Sequence, residues 1–236
     1  KISAKTTAET TYDGQGGTLL PGLIDAHAHF EGFDSLETTA QWGVTTMLDM
    51  GSAKPDNIKE AQALNGISDM LSSFVSAAPP NTAHAKMGCV PVSTPQEARA
   101  FVEQRAAEGA AFIKVIADSP GDKGVIPMSE AVLAEIAMTA HKHDLKVIAH
   151  VTLDSPINAC FRTNIDAITH LPLGTPINAE LATKLSKKSM AAIPTLIMMQ
   201  CIDNNMAEES RPESVSYDNA AVSLAALKTA NITIMA

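Results

Sequence analysis

What the chain lacks narrows its class before any motif is read. Basic residues are few: 17 lysines and arginines stand against 26 aspartates and glutamates, a net charge of −9. A nucleic-acid partner calls for a basic stripe, so none is expected. No apolar stretch approaches the roughly 20 residues needed to cross a bilayer, so no membrane partner is expected either. Cysteine is scarce and odd in number, with Cys89, Cys160 and Cys201 at wide, irregular spacing. That excludes a disulfide scaffold and fits a reducing compartment, the cytoplasm. Residues 1–11 lack the apolar core of a secretion signal. Arginines form no cluster, Arg162 and Arg211 being isolated, so a multiply anionic substrate is not expected.

What is present reads as an α/β enzyme. With 236 residues and 45% apolar composition, the chain can bury one sizeable core and lies near the lower size of a single α/β barrel. Apolar or β-branched runs at 18–27, 44–50, 71–77, 111–117, 146–151, 167–171, 191–196 and 232–235 are the expected strands. Helical patterns at 95–108, 129–143, 155–163, 178–188 and 214–229 lie between them, several opening on Ser, Thr or Asn caps. The strand runs are continuously apolar, as in parallel strands buried on both faces. A doubly wound open sheet would show a glycine-rich phosphate turn after its first strand, and here that strand ends in His27-Ala28-His29. The expected fold is therefore a (β/α)8 TIM barrel. Residues 1–17 read as the tail of a small N-terminal β element and 18–236 as the barrel, incomplete after the eighth strand. The chain is accordingly expected to be part of a longer protein.

Chemistry concentrates at the strand ends, where barrel active sites lie. His27 and His29, at i and i+2, share one face of a strand. Lys114, His150 and His170 each stand near the end of another apolar run. A single strand-end histidine is commonly a hydrogen-bonded core residue, but four at one end of three strands point to a metal site. Lys114 lies inside Ala111-Phe112-Ile113-Lys114-Val115-Ile116, where an ammonium is costly to bury. Burial favours the free amine, which can take up carbon dioxide as a carbamate able to bridge two cations. His84 follows the third strand and is open between a substrate contact and a solvated loop histidine. Asp49 is open between a hydrogen bond to a ligand histidine and a structural one. Met198 and Met199 are open between pocket and core. His141 and His143, at the far end of a strand–helix unit, are expected to have no catalytic role.

Together, the segment Gly22-Leu23-Ile24-Asp25-Ala26-His27-Ala28-His29, followed by Lys114, His150 and His170 in order, resembles the amidohydrolase superfamily. It is most similar to the branch with a carboxylated lysine, the imidazolonepropionase-like and Xaa-Pro dipeptidase-like enzymes. The resemblance implies a binuclear metal centre, with His27 and His29 on the more buried ion, His150 and His170 on the more exposed ion, and Lys114 bridging them. Zinc suits imidazole with carboxylate-type bridges best, with Mn2+, Fe2+ or Co2+ as alternatives. It also implies a small β-sandwich domain and a strand-eight aspartate serving as ligand and general base, expected shortly after Ala236. The implied activity is hydrolysis of a small molecule's amide or cyclic amide C–N bond by a metal-bound hydroxide. A lactonase or deaminase on the same barrel, or a non-catalytic scaffold, are the alternatives. The loops 118–127 and 199–217 are the expected substrate selectors. Barrels of this kind often form symmetric assemblies, which leaves a homo-oligomer open.

Overall fold

The computed structural model describes residues 10–52, 54–118, 126–152, 154–206 and 214–236. Its strands pair in parallel throughout. One sheet holds β1 (Leu23–Ala28), β2 (Val44–Asp49) and β3 (Asp69–Ser72), in that order. The other holds β4 (Ala77–Ala78), β5 (Val90–Pro91), β6 (Ile113–Ile116), β7 (Val147–His150), β8 (Ala167–Thr169) and β9 (Ala191–Ile193), in the order β5-β4-β6-β7-β8-β9. Parallel neighbours need a crossover, and helices supply it. The first are α1 (Phe33–Gln41), α2 (Pro55–Gln62), α3 (Ala83–Lys86), α4 (Pro95–Glu108) and α5 (Glu130–Lys142). After them come α6 (Asp154–Arg162), α7 (Ala179–Lys187), α8 (Leu196–Asn205) and α9 (Tyr217–Thr229). No helix among the described residues is long and apolar enough to cross a membrane.

A few backbone hydrogen bonds link the edges of the two sheets. Ala111 N–H donates to the Ser72 carbonyl at 2.9 Å, joining the approach to β6 with β3. On the other side Ala26 N–H donates to the Ala236 carbonyl at 2.7 Å, and Met235 N–H to the Ala192 carbonyl at 2.9 Å. The last residues thus lie between β9 and β1. Core packing agrees: Ala26 and Met50, at the first sheet, cluster with Phe112, Ile148, Ala167 and Ile193 of the second. A larger apolar layer, including Val102, Leu133, Ile136 and Leu185, packs the helices against the second sheet.

Local chemistry sets the element ends. Thr94 and Glu97 form a reciprocal capping box at the start of α4, and Gly109 ends it at φ 90°, a left-handed conformation open to glycine. Ser129 and Asn178 cap α5 and α7 one way only, their side chains accepting from the N–H of Val132 and Leu181. Three expected strands are corrected. The run 18–27 becomes a strand only at Leu23: Pro21 offers no N–H to a ladder, and Leu19 and Leu20 are exposed. The run 71–77 divides into β3 and β4 because Phe74 takes φ 55° between them. The run 232–235 makes one bridge, Ile234 to Ala192, and no longer ladder.

Ile136 is fully buried between α5 and the sheet, so Ile136→Ala should cost about 2–5 kcal/mol. Thr94→Ala, which removes the cap alone, should cost about 1 kcal/mol. Urea unfolding of the two variants checks this, and equal costs would contradict the packing described.

Candidate metal centre

Alternation along the strands aims the polar residues inward. In β6, Ile113 and Val115 join the helix-facing layer, while Lys114 and Ile116 line a cavity of about 1280 Å³. In β7, Val147 and Ala149 face the helices, and His150 lines the same cavity. β1 needs a device beyond alternation. Its pairing with β2 shifts register between Asp25 and Ala28, a bulge that turns His27 toward the cavity although neighbouring Ala26 lies in the inner core. His170 follows β8 at φ 73°, a conformation rare for a non-glycine residue and met mostly where function requires it.

These elements bring the expected residues into one place. His27, His29, Lys114, His150 and His170 all line the cavity. Ring centroids are 5.5 Å apart for His27 and His29, 4.8 Å for His27 and His170, and 4.4 Å for His150 and His170. His84, on α3, continues the row at 5.0 Å from His150 and also lines the cavity.

Hydrogen bonds fix the rings through one nitrogen. His29 Nδ1 lies 3.2 Å from the Gly51 carbonyl. A carbonyl only accepts, so Nδ1 carries a proton and Nε2 points away from this bond. His170 Nδ1 lies 2.7 Å from the Thr195 hydroxyl, which itself donates to the Pro194 carbonyl at 2.9 Å, so this ring also carries its proton on Nδ1. His27 Nδ1 lies 2.6 Å from the hydroxyl of buried Thr169. Metal-ligating histidines are held in this way, with one nitrogen anchored and the other free to bind. His150 Nε2 is 3.9 Å from the carboxylate of buried Asp118, which accepts from both the N–H and the hydroxyl of Thr152 at 2.8 Å.

Burial keeps His27, His150 and His170 uncharged. Desolvation, with Lys114 and His29 adding like charge, lowers the pKa of His27 to about 3. His150 and His170 are likewise held well below the usual imidazole range, first by burial and then by neighbouring basic groups. Lys114, 3% exposed, is lowered to about 8 by desolvation. Cys89, half-buried in the same cavity wall, is raised by burial against the opposing effect of Lys114. Among the described residues, no Asp, Glu or Arg lines the cavity. Nor do three His, Cys, Asp or Glu side chains among them group tightly enough to hold one metal ion.

Asp49 takes the structural alternative. Its carboxylate accepts from Phe30 N–H at 3.0 Å, from Gly51 N–H at 3.4 Å and from the Ser72 hydroxyl, touching no imidazole. It acts on His29 at one remove, by holding the turn whose Gly51 carbonyl anchors the ring. His141 and His143 bond Asp166 and Glu103, each at 2.8 Å, and take no part in the cavity. Met198 and Met199 line the cavity from α8, a helix the sequence reading did not foresee. Thr169, Thr195 and Cys89 were not foreseen either. Of the expected selector loops, 119–125 and 207–213, with Arg211, lie outside the described residues.

No family model matches the chain. Two curated relatives match locally, both adenine deaminases. That of Leuconostoc mesenteroides is 38% identical over 68 residues, 28% of this chain and 12% of the relative. That of Desulfatibacillum aliphaticivorans is 33% identical over 101 residues, 42% of this chain and 17% of the relative. The chain thus spans less than a fifth of the curated relatives it matches. Among solved structures, an amidohydrolase aligns with TM-score 0.77 and 21% identity, over 98% of this chain and 68% of its own. A prolidase complexed with N-methylphosphonate-L-proline aligns with TM-score 0.71 and 19% identity, over 91% and 64%. The ochratoxinase of A. niger aligns with TM-score 0.74 and 17% identity, over 91% and 61%. At these identities the likeness is one of fold.

The neutral rings give a stability signature. Between about pH 3 and 6.5 the unfolded chain binds a proton at His27 that the folded chain refuses. Folding stability of the metal-free protein should therefore fall as pH drops through this window, by up to about 1.4 kcal/mol per pH unit for each such group. For Lys114 the window runs from about 8 to 10.5, and stability should rise with pH across it. Urea unfolding from pH 4 to 10.5 checks both. His27→Gln should flatten the acid limb and Lys114→Met the alkaline one, whereas unchanged slopes would contradict the burial described.

Proposed function

We propose, from a fold whose solved neighbours are amidohydrolase-type proteins, that the chain carries the catalytic barrel of a metal-dependent hydrolase. It would cleave an amide or cyclic amide C–N bond of a small molecule. One observation carries the reading: four imidazoles and one buried lysine, drawn from four strands and their ends, line a single cavity. In this reading the two parallel sheets are one (β/α)8 barrel, supported by the backbone bonds between their edges and by the inner cluster they share.

The donor set fits divalent metal. His27 and His29 would hold one ion, His150 and His170 another, and a carboxylated Lys114 would bridge them. Two imidazoles per ion leave each ion to be completed by Lys114, in keeping with the lack of any three-residue His, Cys, Asp or Glu group among the described residues. Zinc is the expected metal, with Mn2+, Fe2+ or Co2+ as alternatives. Such a pair, when bound, supplies a Lewis acid for the carbonyl and lowers the pKa of water toward neutrality.

The chain's own residues prepare this chemistry. The Gly51 carbonyl and the Thr195 hydroxyl anchor His29 and His170 through Nδ1, which leaves Nε2 to face a ligand. Desolvation keeps His27, His150 and His170 from being lost to protonation. A Lys114 pKa of about 8 leaves about a tenth of the amine free at pH 7. That amine adds carbon dioxide through its nitrogen lone pair and releases one proton, giving a carbamate anion. Its negative charge would replace a carboxylate that the described cavity lining lacks. His84 stands where it can contact substrate, on the far side of His150.

The local matches to adenine deaminases favour a second reading, deamination, which also breaks a C–N bond. A panel of N-acyl amino acids, Xaa-Pro dipeptides, lactones, cyclic amides and adenine separates the two. Full-length protein prepared with zinc should hold about two ions per chain, lose hydrolysis to a chelator, and lose at least a thousandfold in kcat/KM as Lys114→Met or His150→Asn. Release of ammonia from adenine alone would select deamination. Hydrolysis indifferent to the chelator and to both substitutions would overturn the proposal.

A further inference from the structure

The cavity has a polar floor and an apolar outer wall. Met198, Met199, Ile202 and Met206 recur at i, i+1, i+4 and i+8 along α8 and its end, one helical stripe, and all four line the cavity that holds the imidazoles. Leu173, beyond β8, and Met87, at the end of α3, line it as well. Met199 is 1% exposed and anchors the helix, whereas Met198 and Ile202 keep 37% and 40% of their surface open. Apolar surface left open within a concave site marks a contact for something apolar.

The wall is fixed in place. The Leu173 carbonyl accepts from Ser216 N–H at 2.9 Å and from Asn219 Nδ2 at 2.8 Å. Tyr217 N–H donates to Asp203 of α8 at 3.1 Å, tying α8 to α9. The volume of about 1280 Å³ exceeds the roughly 300–1,000 Å³ typical of small-molecule sites. A carboxylate against this stripe would lose its water and find no cation among Met198, Met199, Ile202 and Met206. Methionine side chains adapt their shape and pack favourably on aromatic rings.

We infer that the substrate carries, on one side of its scissile bond, a bulky uncharged aryl or alkyl group that packs on the α8 stripe. Groups ending in a carboxylate are rejected there. The reaction in this inference rests on the hydrolytic reading above, whereas the apolar site does not.

The test uses full-length protein supplied with zinc and the p-nitroanilides of acetic, butyric, octanoic and phenylacetic acids, with the mono-anilide of suberic acid as the octanoyl analogue ending in a carboxylate. Each buried methylene should raise kcat/KM about fourfold, so octanoyl should exceed acetyl at least a hundredfold. The terminal carboxylate should cost at least tenfold. Ile202→Asp should cut the octanoyl-to-acetyl ratio at least tenfold and Met198→Ala severalfold. Independently of activity, the neutral dye N-phenyl-1-naphthylamine should brighten on metal-free protein, and Ile202→Asp should abolish the response. A flat acyl series whose rates are also insensitive to Ile202→Asp, or a dye response untouched by Ile202→Asp, overturns the inference. If every anilide is inert while the dye response depends on Ile202, the hydrolytic reading fails and the apolar site stands.

Discussion

Desolvation of basic nitrogen is the constraint on which this cavity depends. Lys114 and the rings of His27, His150 and His170 are buried side by side, with no carboxylate among the described lining to stabilise a positive charge. Each of them is pushed toward its neutral form, where nitrogen is a Lewis base. A cluster of this kind costs free energy, since Lys114 and the imidazoles give up the water that would hydrate their charged forms. The left-handed backbone of His170 and of Thr195, joined by the bond between their side chains, adds strain at the same place. Bound cations would repay both costs at once, which is the physical content of the proposed function.

The fold serves that cluster in a simple way. Parallel strands flanked by helices bury both faces, so each strand sends alternate residues to the helix layer and to the interior. Ile113, Val115, Val147, Ala149 and Ile168 take the helix side, which leaves Lys114 and His150 to the interior. Only β1 needs a bulge to bring a histidine round. Asp49, at the end of β2, then ties the turns after β1 and β2 together through Phe30 and Gly51. One buried carboxylate thereby holds the two strand ends and, through Gly51, the ring of His29.

Much of this was legible in the sequence because a polar residue stands out in a run that is otherwise apolar. Lys114, His150 and His170 were found that way, and the structure brings them together with His27 and His29. Helices α4, α5 and α7 were legible because Thr94, Ser129 and Asn178 announce their starts. α1, α2 and α8 were not, since Gly32, Lys54 and Thr195 make no side-chain cap. The bond between His27 and Thr169 spans 142 positions, and no local pattern encodes it. Nor does local sequence foretell the left-handed turn at Phe74 that divides the expected third strand. Substrate choice was not legible because it depends on which face of α8 meets the cavity, and α8 itself was unforeseen.

The central claim is that these nitrogens converge to hold metal. Anomalous X-ray scattering at the zinc edge, from crystals of the full-length protein grown with zinc and bicarbonate, tests it most directly. The account predicts two peaks in the cavity, one beside His27 and His29 and one beside His150 and His170, with electron density extending from Lys114 Nζ between them. Zinc bound elsewhere, with an unmodified Lys114 and an empty histidine cluster, would contradict it.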